Sequence, residues 1–283
     1  MGGWCSPRRP GRWWSRVVEA VRGYGLIVGM WVRSTLAYRA SFLLAVVASF
    51  LTSGLDFVAI YIMFRHVDGL GGFSLPEIAL LYGATTVSLG LADLVLGNSD
   101  RVGALIRTGA LDTMLVRPVP VFAQVAADRF ALRRVGRISQ GAVVLVWGLA
   151  AAGVDWTPAR VVLVPVMLLA GGGIFAAVFV LGAAFQFVAG DAAEVQNSFT
   201  YGGTTMLQYP PTVFAREVVR GVTYVVPLAF VNWVPALYLL GRPDPLGLPD
   251  WAAFVSPLVA LAAFVPAAFA WRAGLRAYRS TGS

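Results

Sequence analysis

The sequence contains no lysine, and it has a single cysteine and a single histidine, Cys5 and His66. A Walker-type phosphate loop and a Schiff-base active site both need a lysine amine, so this chain has neither chemistry. With one cysteine and one histidine, the chain alone also cannot form a disulfide framework, a zinc cluster or a histidine-based triad. We therefore expect no catalytic site, no metal site and no cofactor bound by this chain.

Charged residues are also scarce, at 13% of the chain, whereas 58% of the residues are hydrophobic. Soluble domains have about 25% charged and about 45–50% apolar residues. Several stretches of about 20 residues carry at most one charge, which is the pattern of transmembrane helices. The predicted fold class is an all-α polytopic membrane protein with about six transmembrane helices. The predicted spans are Ala40–Phe64, Pro76–Gly97, Ile138–Gly153, Val161–Ala189, Val195–Phe214 and Trp251–Trp271.

Two of these spans have unusual features. The third is short for a bilayer core of roughly 30 Å, so we expect its helix to begin a turn earlier, within Arg133–Arg137. The fourth contains three consecutive glycines, Gly171 to Gly173, which indicate either close helix packing or a kink.

The positions of the arginines predict the orientation, because short arginine-rich segments stay in the cytoplasm. The segment before the first span carries Arg8, Arg9, Arg12, Arg16, Arg22, Arg33 and Arg39. The loop between the second and third spans carries Arg101, Arg107, Arg117, Arg129, Arg133, Arg134 and Arg137, and the tail carries Arg272, Arg276 and Arg279. Both termini are therefore expected in the cytoplasm, and the number of crossings is expected to be even. Membrane topology and attraction to anionic lipid account for the basic charge without a nucleic-acid partner.

An apolar stretch before the first span is too short to cross. Tyr24–Val32 has nine residues and is flanked by arginines, which favours a helix on the cytoplasmic surface of the membrane. The predicted organisation is thus a cytoplasmic N-terminus with an interfacial helix at 1–39, a single transmembrane domain at 40–271 and a cytoplasmic tail at 272–283.

The apolar stretch Val222–Leu240 is broken by Pro227, Asn232 and Pro235. Broken backbone at membrane depth is tolerated only where it is buried in protein or lines water. The pattern favours a re-entrant helical hairpin on the outer face, within residues 212–241. A helix at Thr212–Thr223 is expected to precede it, with charged residues on its exposed side.

The cytoplasmic loop 98–137 contains a patterned segment, Asp100–Pro118. Val102, Leu105 and Ile106 share one face at helical spacing, and Gly109 permits a reversal of the backbone. The pattern predicts two short helices that are separated by a glycine and end at Pro118. A short, structured cytoplasmic protrusion of this kind is suited to docking a partner.

This segment resembles the "Gly-x-Leu-Asp-x-x-Leu-x-Arg-Pro" pattern of the type II ABC-exporter permease family. The positions that match are Gly109, Leu111, Asp112, Leu115, Arg117 and Pro118. The run Val226–Pro235 resembles the family's "Pro-Phe-Ala-Phe-Val-Asn-Tyr-x-Pro" stretch, with conservative differences at Leu228 and Trp233. Together with the order of the spans, the resemblance extends from about Trp31 to Tyr278.

The resemblance implies that the chain is the permease subunit of an ATP-binding-cassette exporter, forming half of a translocation path in the plasma membrane of a bacterium. It implies two copies of a cytoplasmic ABC ATPase, which would bind the ATP and Mg, and a second permease subunit in a homodimer or heterodimer. It further implies that the segment contacts the ATPase through Leu105, Thr108, Gly109, Leu111, Asp112, Leu115, Arg117 and Pro118. The expected substrate is amphipathic, such as a drug, a lipid or a natural product.

Two aspartates fall within predicted spans, where a buried charge is expensive. Asp56 either lines the translocation path and attracts cations, or makes a plain hydrogen bond to Thr52 or to a neighbouring span. Asp93 either has a role in transport, or reaches interfacial water or pairs with Arg101. If both acids carried protons, the chain would instead be an ion-coupled secondary transporter.

Two neutral polar side chains, Gln186 and Asn232, are the other candidates for the translocation path. Both are also explained by interhelical hydrogen bonds, the commoner use of such residues in membrane helices.

Overall fold

The computed structural model describes residues 13–67, 69–190 and 193–279. Arg8, Arg9, Arg12 and the last four residues of the predicted tail lie outside the described residues. Helices make up 81% of the described residues, and no strand occurs among them. The predicted all-α fold class is thus confirmed.

The α-helices of the described part follow one another in this order: α1 (Trp13–Ala37), α2 (Arg39–Phe64), α3 (Leu75–Leu96), α4 (Val102–Arg107), α5 (Ala110–Leu115), α6 (Val121–Ala127), α7 (Val135–Ala151), α8 (Pro158–Ala189), α9 (Ala193–Asn197), α10 (Gly203–Leu207), α11 (Arg216–Tyr224), α12 (Trp233–Leu240) and α13 (Ser256–Ala277). Short 3-10 turns lie at Gly97–Arg101, Leu132–Arg134, Pro211–Val213, Leu228–Phe230 and Asp250–Phe254, and a π turn lies at Ser198–Gly202.

Helix α3 forms the centre of the bundle and packs against α7 and α8. Its start is fixed by Ser74, whose backbone N–H donates to the Glu77 carboxylate at 2.7 Å, and by Pro76 in the first turn. The helix comes very close to α7 at Gly83, where a Cβ atom would lie 2.5 Å from the backbone nitrogen of Leu145. Small residues permit this approach, as is usual where membrane helices pack.

Helix α8 runs without a break through the glycine triplet. A Cβ atom on Gly171 would lie 2.7 Å from the Ser88 hydroxyl of α3, and one on Gly173 would lie 3.2 Å from Ala260 of α13. Close packing is therefore confirmed as the explanation of the triplet, and α8 is held between α3 and α13.

Within the described residues, four helical stretches are long and apolar enough to cross a membrane: Arg39–Phe64, Leu75–Arg107, Pro158–Ala189 and Ser256–Ala277. They correspond to the first, second, fourth and sixth predicted spans. The third predicted span corresponds to helix α7. This helix begins at Val135, within Arg133–Arg137, as predicted. Its 17 residues extend over about 25 Å.

The fifth predicted span, Val195–Phe214, is wrong at its C-terminal end, because the helix ends at Leu207. The chain forms α9, the π turn Ser198–Gly202 and α10, and the helical stretch ends at Leu207. Two prolines, Pro210 and Pro211, follow, and they have no N–H to continue the hydrogen-bond ladder. The hydrophobic run is therefore longer than the helix that it forms.

Helix α1 is longer than the nine residues predicted for it, since it extends from Trp13 to Ala37. It packs on α6, and the Tyr24 hydroxyl donates to the backbone carbonyl of Val95 at 3.0 Å. Its arginines lie among apolar positions that recur on one face, so the helix continues past the charges that bounded the predicted segment. Helix α1 ends at Ala37, Tyr38 is not helical, and α2 begins at Arg39.

The segment after α10, called the hairpin segment here, consists of α11, the 3-10 turn Leu228–Phe230 and α12, and both helices pack against that turn. The helix predicted at Thr212–Thr223 begins later, at Arg216, and exposes Arg216, Glu217 and Arg220 while Val219 is buried. The backbone turns between Pro227 and Asn232, and Pro235 sits in the first turn of α12, where a missing N–H is harmless.

The end of the hairpin segment is fixed to α3 by an ion pair. The Arg242 guanidinium donates to both carboxylate oxygens of Glu77, at 2.6 and 2.9 Å, and lies over the Phe73 ring. This bidentate geometry fixes the orientation of the hairpin segment relative to α3.

Candidate functional site

The segment predicted to be a cytoplasmic protrusion, defined here as residues 102–118 and called the protrusion, has the predicted helix–glycine–helix form. Helix α4 ends at Arg107, and Gly109 takes a left-handed conformation with φ of 68° before α5 begins. A residue with a Cβ atom would be strained there, so the reversal depends on the glycine.

The apolar face of the protrusion is turned inward. Val102 and Leu111 are fully buried, Leu105 is nearly so, and Met114 lies beside them. Of the residues predicted to contact an ATPase, Leu105 and Leu111 therefore form the root of the protrusion and anchor it to the bundle.

The tip of the protrusion, defined here as Thr108 together with residues 115–118, is exposed. Leu115 is 43% and Val116 is 85% exposed, so two apolar side chains face solvent next to Arg117 and Pro118. Gly109 and Asp112 are half-buried between root and tip. Sequence reasoning missed Val116, although its position just off the buried face of α5 was a signal that could have identified it.

Hydrogen bonds attach the protrusion to the helix ends around it. The Tyr278 hydroxyl, directly after α13, donates to Asp112 Oδ1 at 3.0 Å. Burial and this hydrogen bond raise the pKa of Tyr278 above its ordinary value, so the hydroxyl stays protonated and able to donate. The Gln124 amide of α6 donates to the backbone carbonyls of Met114 and Val119, at 2.8 and 2.7 Å.

A cluster of aromatic rings connects these attachments to the long helices. The Trp271 ring of α13 makes edge-on contacts with Phe122 of α6 and Phe187 of α8, at centroid distances of 5.1 and 5.2 Å. Phe187 also contacts Tyr278, with centroids 6.2 Å apart. Such pairs contribute about 0.5–1.5 kcal/mol beyond the area they bury, so the cluster couples α6, α8 and α13 at the base of the protrusion.

Gln186 belongs to the attachment of the protrusion. Its side-chain oxygen accepts a hydrogen bond from the Gly103 N–H at 2.6 Å, and its amide donates to Gln196 of α9 at 3.0 Å. It is fully buried and joins α4, α8 and α9.

A buried ion pair lies where α3 meets the loop before α7. Asp93 is 4% exposed, and its carboxylate lies 3.1 Å from the Arg134 guanidinium. The same guanidinium donates to the Asp93 backbone carbonyl at 3.0 Å and to the Asn98 side-chain oxygen at 3.1 Å. The predicted pairing of Asp93 with Arg101 is wrong, because the Arg101 guanidinium lies 3.9 Å from the Asp128 carboxylate instead.

A polar cavity of about 370 Å³ opens among α2, α3, α7 and α10. Asp56 and Ser53 line it from α2, Tyr82 and Thr86 from α3, and Arg137 from α7. Its remaining lining residues are Ala59, Ile60, Met63, Leu89, Tyr201, Thr204, Thr205, Gln208 and Tyr209. The structure therefore brings one of the candidate path residues, Asp56, to a cavity where a carboxylate, a guanidinium and several hydroxyls meet.

Two contacts shape the walls of this cavity. The Tyr82 hydroxyl donates to the backbone carbonyl of Ser53 at 2.7 Å, which joins α3 to α2. The Arg137 guanidinium lies 5.6 Å from the centroid of the Tyr201 ring, a cation–π arrangement that helps to keep it in place. The sequence analysis counted Arg137 among the loop arginines but did not pair it with Tyr201, because their proximity depends on tertiary packing.

Asn232 lies in the core rather than in this cavity. Its amide group lies within hydrogen-bond distance of the carbonyls of Leu81 and Leu207, at 3.0 and 2.9 Å, and of the Thr85 hydroxyl at 2.5 Å. It fixes the turn of the hairpin segment, with Pro227 and Pro235 on either side, to α3 and α10.

Comparisons with known proteins agree with this architecture. A family model described as "ABC-2 family transporter protein" matches residues 50–282, which is most of the chain. No curated protein and no solved structure matches it.

Proposed function

The chain belongs to the ABC-2 family of transporters, a family of membrane transport subunits, and we propose that it is the permease of an ATP-driven exporter whose ATPase is a separate chain. The observation that carries this proposal is the cytoplasmic protrusion, with an exposed tip and a root buried in the bundle. A chain without lysine cannot bind ATP in a Walker loop, so in this proposal a partner chain hydrolyses the ATP.

We propose that two copies of the ATPase bind beneath the membrane and that the tip of the protrusion contacts one of them. Movement of the tip would pass to α13 through Asp112 and Tyr278, and to α8 and α9 through Gly103, Gln186 and Gln196. Packed helices of this kind respond to an interface by shifting as bodies. In this proposal Leu105 and Leu111 transmit the movement, whereas Thr108, Leu115, Arg117 and Pro118 make the contact.

We propose that α2 faces a second permease subunit. Helix α2 carries exposed apolar residues such as Leu51, Leu55 and Ile62, and Asp56 is exposed on the same helix. A carboxylate facing lipid would be expensive, so a protein surface is the better cover for it. Two such cavities, one in each subunit, would then join into one translocation path.

The membrane arrangement that fits this proposal has six crossings, namely the four long helices together with α7 and the α9–α10 segment. In this arrangement both termini and the protrusion lie in the cytoplasm, as the arginine-rich segments favour. Helix α11 would lie along the outer face, and α12 with the turn before it would dip into the membrane from that face. An amphipathic drug, lipid or natural product suits a path that is polar at Asp56 and apolar around it.

Docking is tested by cross-linking from the tip. Thr108→Cys in a Cys5→Ser background gives one thiol at an exposed position, because the chain has a single native cysteine. We expect this thiol to capture the co-expressed ATPase in membranes, since Thr108 faces solvent at the tip. Leu105→Cys is the matched control, and its buried side chain is expected to react at least tenfold more slowly. If neither position captures the ATPase, docking through the protrusion is wrong.

The role of Asp56 is tested with substrates of different charge. In vesicles containing the permease and its ATPase, Asp56→Asn is expected to reduce export of the cation tetraphenylphosphonium about fivefold to tenfold, because a charge contact in a wet cavity contributes about 1 kcal/mol. Export of a neutral dye of similar size should stay within twofold. Asp155→Asn is the control, since the Asp155 side chain is 97% exposed and lies outside the cavity.

The same vesicles discriminate ATP-driven export from ion-coupled transport. We expect export to follow ATP and to survive collapse of the proton gradient. The structure gives less support to a proton-carrying pair, because Asp93 is already held by Arg134. Export that stops when the proton gradient collapses and does not depend on ATP would favour ion coupling. In the Asp56→Asn variant, an equal loss of export for the cation and for the neutral dye would mean that Asp56 does not recognise the charge of the substrate.

A further inference from the structure

A second and larger cavity, of about 590 Å³, opens at the end of the bundle that carries the cytoplasmic arginines. It lies between α1, the first turns of α2 and the loop before α7. Its lining residues are Trp31, Thr35, Tyr38, Ser41, Phe42, Ala45, Arg129, Phe130, Ala131, Leu132 and Arg133. Two arginines and no acidic residue contribute to it, so the cavity is electropositive.

These two arginines have no ion-pair partner among the described residues. The neighbouring acid, Asp128, faces Arg101, and its backbone carbonyl accepts a hydrogen bond from Asn98 at 2.5 Å. The carboxylate of Asp93 is held by Arg134 rather than by Arg133. The carboxylates of this region are thus used elsewhere, and the charge of Arg129 and Arg133 remains available to a ligand.

The backbone at Arg129 is held in a strained conformation. Its φ of 50° is left-handed, and it is the only such value for a non-glycine residue in the part of the chain that the structure describes. For a residue with a Cβ atom this conformation costs about 1–2 kcal/mol. Asp128, the residue before Arg129, is held by its contacts with Asn98 and Arg101. The backbone conformation at Arg129 therefore sets the direction in which its side chain leaves the backbone.

The other walls match a lipid molecule. Phe42 and Ala45 form an apolar strip along α2, while Trp31 and Tyr38 are of the residue types that are enriched where membrane proteins meet lipid headgroups. Tyr38 is 75% exposed and Trp31 half-buried, so the rim of the cavity is open.

We propose that this cavity binds an anionic phospholipid of the inner leaflet. Its phosphate would lie between Arg129 and Arg133, and an acyl chain would follow Phe42 and Ala45 down α2. A free phosphate would leave the apolar strip unused, and a zwitterionic lipid would bring a cationic headgroup next to the two guanidinium groups, so its zero net charge would complement theirs less well. The bound lipid would fill the space between α1 and α2 and hold the interfacial helix against the first span.

The proposal is tested by native mass spectrometry of the purified permease with dioleoyl phosphatidylglycerol and with dioleoyl phosphatidylcholine. We expect phosphatidylglycerol to bind at least tenfold more tightly. The double variant Arg129→Gly, Arg133→Gln is expected to lose about thirtyfold in that affinity, because each basic residue near anionic lipid contributes about fivefold. Glycine suits the left-handed backbone at position 129, so this variant should remain folded.

Three controls distinguish lipid binding in the cavity from a general attraction between basic residues and anionic lipid. Arg272→Gln with Arg276→Gln removes the same charge from exposed positions near the end of α13, and binding should stay within threefold of the parent protein. Arg129→Lys with Arg133→Lys keeps both charges and should retain most of the affinity. Glycerol phosphate should compete only weakly. The proposal is overturned if the tail variant loses as much affinity as the cavity variant, if the cavity variant binds normally, or if glycerol phosphate displaces the lipid at equal concentration.

Discussion

Gly109→Val is expected to abolish ATP-dependent transport while the membrane-embedded helices stay folded. Gly109 has a φ of 68°, and a β-branched residue there is a conformational outlier. Because α4 and α5 depend on this reversal, the valine would force the backbone to another conformation and displace the exposed tip at Thr108 and residues 115–118. Tenfold or greater loss of ATP-dependent export in proteoliposomes is the expected measurement, together with loss of the Thr108 cross-link to the ATPase.

The chain offers a closely matched control for this substitution. Gly153 has a φ of 67° and lies between α7 and α8, and a Cβ atom added there would meet no neighbouring atom within 4 Å. Gly153→Val therefore imposes the same backbone strain far from the protrusion, and it should lower the thermal stability by a similar amount without affecting coupling. Equal loss of transport in both variants would mean that general destabilisation, and not the position of the tip, decides the outcome.

The sequence was sufficient to predict those elements whose physical cause is local. Helices α2, α3, α8 and α13 follow from apolar runs. The first three begin and end close to the predicted bounds, whereas α13, at Ser256–Ala277, lies later in the chain than the predicted Trp251–Trp271. The protrusion was also predictable, because Gly109 and Pro118 act on their own stretch of backbone. The match of the family model confirms the resemblance that this segment indicated.

What could not be predicted depends on contacts between distant parts of the chain. Arg101 follows Asp93 closely in sequence and was the predicted partner, but Arg134, which is distant in sequence, reaches the carboxylate instead. Hydropathy likewise records that Val195–Phe214 is apolar, but it does not register that the helix ends at Leu207. The polar cavity could not be predicted, since Tyr201 and Arg137 belong to separate helical stretches that only tertiary packing brings together.

The buried ion pair between Asp93 and Arg134 is expected to have the largest effect on stability. Removing one partner leaves the other charge buried, which typically costs about 3–5 kcal/mol in the free energy of unfolding. Asp93→Leu and Arg134→Met should each show a loss of this size, because Arg134 also donates to the Asp93 carbonyl and to Asn98. The measurement is reversible unfolding in mixed micelles, followed by the fluorescence of the tryptophans.

The double variant distinguishes a paired charge from a residue that is merely well packed. Asp93→Leu with Arg134→Met removes both charges and fills their space with apolar groups, so it should be less destabilised than either single variant. Asp155→Leu breaks an ion pair of 4.0 Å whose carboxylate is 97% exposed, and it should cost less than about 1 kcal/mol. If the losses of the two single variants simply add in the double variant, the two residues act independently. The contact between α3 and the loop before α7 would then depend on packing and on the backbone hydrogen bonds alone.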